Sequence, residues 1–503
     1  MIPAAGSMAA REPMTQPARA VPVRRTASLW LTLVAALGGL LFGYDTAVIS
    51  GAVGSIDADF IAPLQLPETW RNTLSGLTIS SALFGCVLGS AVAGALADRF
   101  GRKIGLMVAA VLFLFSALGS AVPELGLAPL GTTGLPALVA FNVYRLLCGA
   151  GIGIASMLSP LYIAEIAPRQ HRGRLVSLYQ MAIVIGIVGV YFVNWMIARG
   201  GDAAWLDRIG WRLMLGSEFV PALVFLLLLA KVPDTPRWLV LKGRDVQALQ
   251  VLQRVCVQAD ADLILTEIRA SLKLKTTQAT SLLTYGWPVI GVGLALSIFQ
   301  QLVGINAVLY YAPLMFRNLG AGNDSALLQT VIVGTANMLS TLIAIAWVDR
   351  LGRKPLLIAG AAVMAVTMLS LGFLFALKSQ GAVALALVVL YIIGFAMSWG
   401  PVVWVLLSEM FPGAIRGKAM AVAVAAQWIA NLAVSWSFKV LDGNTFLNET
   451  FNHGFAYCLY GAMSLLAGLF VWRFVPETAG RSLEAIQDVW TKPHPPLARA
   501  PRG

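Results

Sequence analysis

Three charged side chains stand inside apolar stretches of this chain: Asp45, Arg145 and Glu218. A charge at the centre of a bilayer costs roughly 2.5–3.5 kcal/mol on insertion scales, so such residues face the protein interior and pair with one another. Asp45 with Arg145 is the obvious pair, and Glu218 is a third candidate. Two roles fit the pair. A static ion pair would hold two helices together. A proton switch would protonate Asp45, release Arg145 and bias an equilibrium between two conformations.

A second group carries amides in place of charges. The stretch Trp287–Tyr311, WPVIGVGLALSIFQQLVGINAVLYY, is long enough to cross a bilayer, which takes roughly 20 apolar residues. It nevertheless holds Gln300, Gln301 and Asn306 with no charged neighbour. An amide in hydrocarbon costs on the order of 2–7 kcal/mol unless something hydrogen-bonds it. Gln300 and Asn306 are six apart, on roughly opposite sides of a straight helix, and a break at Gly304 would turn both toward one cavity. Tyr310 follows Gln301 by nine residues, about two and a half turns. The segment suits a wall that hydrogen-bonds a neutral polyol, and it suits interhelical amide contacts just as well.

These residues need elements to hold them. Of 503 residues, 58% are hydrophobic and only 12% charged, against about 25% charged in soluble proteins. Twelve candidate spans lie near 28–53, 73–97, 104–123, 137–164, 175–198, 212–231, 286–315, 325–348, 355–377, 382–408, 418–438 and 454–475. The net charge of +12 does not mark a nucleic-acid binder, because its placement is lopsided: 28 of 36 Lys/Arg fall on one set of alternating loops and tails and 7 on the other. That bias puts both termini and the 232–285 loop in the cytoplasm. The first residues, rich in Ala, Pro and Arg, precede a full-length span and read as a disordered tail over 1–27 in place of a cleaved signal. Cys86, Cys148, Cys256 and Cys458 have no paired spacing, and three scattered histidines make no metal cluster. No nucleophile–base pair or nucleotide loop points to an enzyme or a cofactor. Gly149-x-Gly151-x-Gly153 lies inside a span and reads as close helix packing.

The chain repeats itself. Asp98-Arg99-Phe100-Gly101-Arg102-Lys103 returns as Asp349-Arg350-Leu351-Gly352-Arg353-Lys354, Glu165-x-x-Pro168-x-x-x-Arg172-Gly173-Arg174 as Glu409-x-x-Pro412-x-x-x-Arg416-Gly417-Lys418, and Val232-Pro233-Asp234-Thr235 as Val475-Pro476-Glu477-Thr478. The displacements of 251, 244 and 243 residues are nearly one period. Two six-span bundles, 28–231 and 286–475, are therefore expected, related by an axis along the membrane normal. Residues 232–285 would join them through amphipathic helices in runs such as 244–257 and 260–274, and 476–503 would be a second tail.

With the two DR-x-GR-K loops, PDTPRW at 233–238, QQLVGIN at 300–306, GPVVW at 400–404 and PET at 476–478, the chain resembles the sugar porter family of the major facilitator superfamily over about 28–488. The resemblance implies an all-α fold of twelve transmembrane helices that carries a monosaccharide by alternating access. It implies a sugar site of Gln180, Gln300, Gln301, Asn306, Tyr310, Asn337, Trp404, Gln427 and Trp428, with Phe42 and Gly400 adding apolar and backbone contacts. Amides both donate and accept, which suits hydroxyls that do both. Ile187 departs from a xylose-carrying member, which has Gln there, and resembles glucose carriers, which tend to be apolar; D-xylose, D-glucose or both are expected. Proton-coupled members carry Asp where this chain has Asp45, and facilitative members Asn, so the resemblance favours a proton switch of Asp45 and Arg145, with Glu218 the next candidate. Asp98, Arg102, Glu165, Arg172, Asp349, Arg353, Glu409 and Arg416 would form a salt-bridge network between the halves when the cytoplasmic side closes. The expected setting is the inner membrane, with monosaccharide, protons and lipid as partners, no nucleic acid, no metal, and a monomer as the working unit. The weaker alternatives are a facilitative uniporter and a sugar sensor that does not transport, the latter disfavoured by a tail of only 27 residues after Pro476.

Overall fold

In a computed structural model of the chain, residues 25–125, 127, 129, 132–167, 172–255, 258–275, 287–318, 322–377, 382–411 and 415–478 are described. The two expected tails fall almost wholly outside them. Twelve helical stretches are long and apolar enough to cross a membrane: Ala27–Leu64, Glu68–Phe100, Arg102–Ala121, Leu135–Ile166, Leu178–Ala198, Ala203–Lys231, Trp287–Asn318, Asp324–Trp347, Arg353–Ala376, Ala382–Leu407, Lys418–Asp442 and Phe455–Phe474. They are numbered here as spans 1 to 12, and the described residues contain no strand. Large apolar side chains such as Phe115, Val220 and Phe373 point outward on them, as a hydrocarbon solvent permits.

Spans 2 and 4 pack through glycines. A Cβ at Gly149 or Gly153 would strike the carbonyls of Ala82 and Cys86, and one at Gly85 or Gly89 those of Leu146 and Ala150. Backbones this close are the usual use of small residues where apolar side chains gain nothing by leaving lipid.

The repeated motifs do the same structural work twice. Gly101 and Gly352, with φ of +102° and +85°, end one helix and start the next. The freshly exposed N–H groups need an acceptor, and a carboxylate is favoured at a helix N-terminus. Asp234 Oδ1 accepts from Arg102 N at 3.1 Å, and Glu477 accepts from Arg353 N and Lys354 N, each at 3.0 Å. The PDT and PET motifs thus close their own bundles by capping the helix that the GR-K motif begins.

Between the bundles, Pro236–Leu241, Asp245–Val255 and Gln258–Lys275 are helical. The first is absent from the sequence reading. Trp238, Leu239, Ala248, Val251, Leu252, Ala261 and Leu265 bury a small core of their own. The rest of the linker, 276–286, lies outside the described residues.

Candidate functional site

Two spans are broken where the amides cluster. Span 7 consists of Trp287–Leu302 and Ile305–Asn318, with Gly304 at φ +90° between them. That conformation is open to glycine and disfavours any residue with a Cβ, and here the Tyr460 ring fills the space a Cβ would take. The break frees the Val303 carbonyl, which accepts from Tyr391 Oη at 2.8 Å. Span 10 breaks at Ser398 into Ala382–Met397 and Trp399–Met410. Pro401 falls in the first turn of the second piece, where no intrahelical N–H bond is lost.

The breaks meet. Gln300 Nε2 donates to the carbonyls of Trp399 at 2.8 Å and Gly400 at 3.3 Å, while Gln300 Oε1 is buried without a partner among the described residues. Asn306 Nδ2 donates across the span 7 break to Gln301 Oε1 at 2.6 Å. Gln300 is thus tied to span 10 and Asn306 to Gln301, an arrangement that a straight helix could not make.

Around them, Tyr310 is buried, and the Phe42 and Trp428 rings lie 5.5 Å apart, bridging spans 1 and 11. Gln427 Oε1 and Trp428 Nε1 are buried and unpartnered among the described residues. Gln180, Asn337 and Trp404 stand on spans 5, 8 and 10, partly or fully buried. Ile187 is 4% exposed and belongs to the apolar core.

The charged group is assembled from three spans. Arg145 Nη1 on span 4 donates to Asp45 Oδ1 on span 1, with side chains 3% and 1% exposed. Glu218 of span 6, equally buried, completes a triad, and ligand atoms of Asp45, Cys148 and Glu218 all lie within 4.8 Å of one another. Cys148 Sγ sits 3.9 Å from Glu218 Oε1. Such spacing would suit a cation, and the Arg145 guanidinium supplies one. Pro221 explains how Glu218 gets there: it can offer no N–H to the Ser217 carbonyl and crowds it, so the helix is interrupted at Ser217–Glu218. Tyr44 and Ser217 hydroxyls, 2.7 Å apart, fasten span 1 to that interruption. The sequence reading missed Cys148 here, although its place three residues after Arg145 on one helix face was a usable signal.

Of the eight loop charges, Arg172, Asp349, Glu409 and Arg416 have side chains outside the described residues. The others bond within their own bundle: Arg102 Nη2 to Glu165 Oε1 at 3.0 Å, Arg102 Nη1 to Asp98 Oδ1 at 3.7 Å, and Arg353 through its backbone to Glu477. Thr235 Oγ1 adds a donor to Glu165 Oε2 at 2.5 Å. Among the described residues, hydrogen bonds between bundles lie toward the opposite ends of the spans: Asn72 to the Gly443 carbonyl, Tyr191 to the Leu309 carbonyl, and Lys439 to Asp57.

A broken span 7 clasping a broken span 10, with a buried ion pair alongside, is the arrangement this chain builds at its centre. The family model described as "Sugar (and other) transporter" matches residues 31–490. The chain is 52% identical over 466 residues to the D-xylose-proton symporter of Escherichia coli (strain K12), covering 92% of this chain and 95% of that one. It is 50% identical over 461 residues to the glucose facilitated diffusion protein of Zymomonas mobilis, covering 92% and 97%. A solved structure of the E. coli xylose transporter XylE in an inward open conformation matches with TM-score 0.81 at 50% identity, over 91% of this chain and 99% of that one. XylE bound to 6-bromo-6-deoxy-D-glucose matches with TM-score 0.80 at 51% identity, over 93% and 99%. Family model, identity and fold agree over nearly the full length, and this polytopic membrane protein belongs to the sugar transporter family of the major facilitator superfamily.

Proposed function

We propose that the chain imports a monosaccharide, D-xylose or D-glucose, together with a proton, by alternating access in the inner membrane of a bacterium. The bundles 28–231 and 286–475 rock about the sugar site, the linker and both tails lie in the cytoplasm, and one chain is the working unit. The observation that carries the reading is the buried triad of Asp45, Arg145 and Glu218. One guanidinium neutralises one carboxylate and leaves the second without a countercharge. Like charges this close disfavour double ionisation. A proton is the smallest cation that restores neutrality, and its arrival on Asp45 frees Arg145 from its partner. Asp45 lies in the same span as Phe42, whose ring meets Trp428 of the other half, so the charge state of span 1 and the closure of the sugar site share one rigid element.

The sugar would be held by Gln180, Gln300, Gln301, Asn306, Tyr310, Asn337, Gln427 and Trp428, with Phe42, Ile187, Gly400 and Trp404 around it. The unpartnered Gln300 Oε1, Gln427 Oε1 and Trp428 Nε1 support this, since buried polar atoms normally find partners and sugar hydroxyls supply them. Each net bond contributes about 0.5–1.5 kcal/mol, so a handful gives an affinity modest enough for release. A second reading is facilitated diffusion, favoured by the Zymomonas relative's name. Uptake of labelled xylose and glucose into proteoliposomes, with and without an imposed pH gradient, decides: accumulation above equilibrium supports symport, equilibration alone supports facilitation, and no uptake of either sugar rejects both.

A further inference from the structure

Among the described residues, Asp57, Asp207, Arg317 and Lys439 lie on the face opposite the repeated motifs, and neither the sugar site nor the triad uses them. Asp57 follows the helix Arg25–Ile56, and Asp207 lies in the turn Leu206–Gly210 before span 6 becomes regular. Both belong to the first bundle, and each is held by a serine of that bundle. Ser75 Oγ donates to Asp57 Oδ1 at 2.5 Å, and Ser55 Oγ to Asp207 Oδ1 at 2.7 Å. The cations come from the second bundle. Lys439 Nζ sits 3.0 Å from Asp57 Oδ2, with side chains 13% and 28% exposed. The Arg317 guanidinium lies against Gly54, three residues before Asp57 and next to Ser55, which holds Asp207. Asn72 Nδ2 donates to the Gly443 carbonyl at 3.2 Å beside them.

We propose that Lys439 and Arg317 clasp Asp57 and Asp207 as an ionic latch, which holds this face shut and breaks when the carrier opens toward it; this rests on the alternating-access reading above. The geometry suits a latch that must release. The serine bonds lie within one bundle and survive opening, so both acids stay oriented for reclosure. Lys439 and Arg317 each stand in the last turn of a helix, where the helix dipole favours a cation even after its acid has gone. The pairs are part-buried at the end of the membrane span, so opening hands all four charges to water and strands none in hydrocarbon. Salt screens such pairs, so the closed state should weaken as ionic strength rises.

Hydrogen exchange on the purified full-length protein tests this without any transport assay. Lys439→Met should speed backbone exchange in 68–80 and 432–443 by roughly two- to fivefold, the range for loss of one such ion pair. The wild type should move in the same direction between about 50 mM and about 500 mM salt. Exchanging the partners, Asp57→Lys with Lys439→Asp, should restore slow exchange. Exchange unchanged in Lys439→Met and insensitive to salt in the wild type would overturn the latch. So would a charge-swapped protein that stays as open as Lys439→Met, because that marks a packing role. A wild type that moves no sugar would reject the transport reading and leave this measurement standing.

Discussion

Asp45→Asn separates coupling from folding. The substitution keeps the shape of the side chain and removes the carboxylate that pairs with Arg145, one of two in the buried cluster. Glu218 remains, with a carboxylate oxygen inside the same 4.8 Å cluster, so the site keeps one buried acid. A second acid beside the site keeps the buried guanidinium from standing uncompensated, which is why the variant should fold. Arg145→Met should behave differently, because it leaves two buried acids with no cation; breaking a buried pair typically costs about 3–5 kcal/mol. Transport reports the other half of the argument. A membrane potential of about 100 mV supplies about 2.3 kcal/mol per proton, close to a fifty-fold sugar gradient. Wild-type protein should approach that ratio in energised vesicles. Asp45→Asn should fall to about one-fold while still exchanging labelled for unlabelled sugar. The assay is steady-state accumulation beside counterflow, with melting temperatures to check the fold. Pronounced accumulation by Asp45→Asn would refute the assignment and move the coupling role to Glu218.

Three further perturbations follow from the geometry. Gln300→Ala removes the amide that spans 7 and 10 share and the unpartnered Oε1; sugar binding measured by calorimetry should weaken about tenfold or more, as one to three lost hydrogen bonds require. Gly304→Ala forces a Cβ into the Tyr460 ring at φ +90°; the left-handed backbone alone costs roughly 1–2 kcal/mol, and both melting temperature and sugar affinity should fall. His453, in the loop before span 12, has its pKa raised above the ordinary 6.5 by the hydrogen bond to Asp442 at 3.0 Å, against the opposing effect of burial. A raised folded-state pKa means stability that is full below the unfolded value and is lost as pH rises through the folded one. Melting temperature should therefore decline as pH climbs past about 6.5 and beyond, and His453→Gln should remove that part of the decline.

Much of this was legible in the sequence because membrane helices advertise themselves. Twelve apolar runs, a repeat near 245–250 residues and the positive bias of alternate loops need no tertiary knowledge. The break at Gly304 was legible too, since a glycine among amides in a long span has few other uses. What the glycine accommodates was not: Tyr391 and Tyr460 come from distant spans, and no spacing announces that they pack there. Asp45 and Arg145 could be paired because isolated intramembrane charges are few. Placing Glu218 and Cys148 with them required knowing that spans 1, 4 and 6 share one interior face, which helical periodicity alone does not give. Trp399 is a residue that the sequence does not single out. The sequence draws the eye to Trp404, yet Trp399 is fully buried and donates to the Leu357 carbonyl at 2.9 Å, bracing the very break that Gln300 engages. Nothing in the sequence marks the outer charges Asp57, Asp207, Arg317 and Lys439 as partners, because charges at span ends serve topology as often as contact.

The central claim is that sugar and proton move together through one chain. Purified protein in lightly buffered proteoliposomes, with no imposed gradient, tests it most directly. Adding D-xylose or D-glucose outside should produce a prompt alkaline shift of the external medium as protons enter with the sugar. Asp45→Asn, loaded with the same sugar, should give none. Sugar entry by the wild type with no accompanying pH change would contradict symport and leave facilitated diffusion in its place.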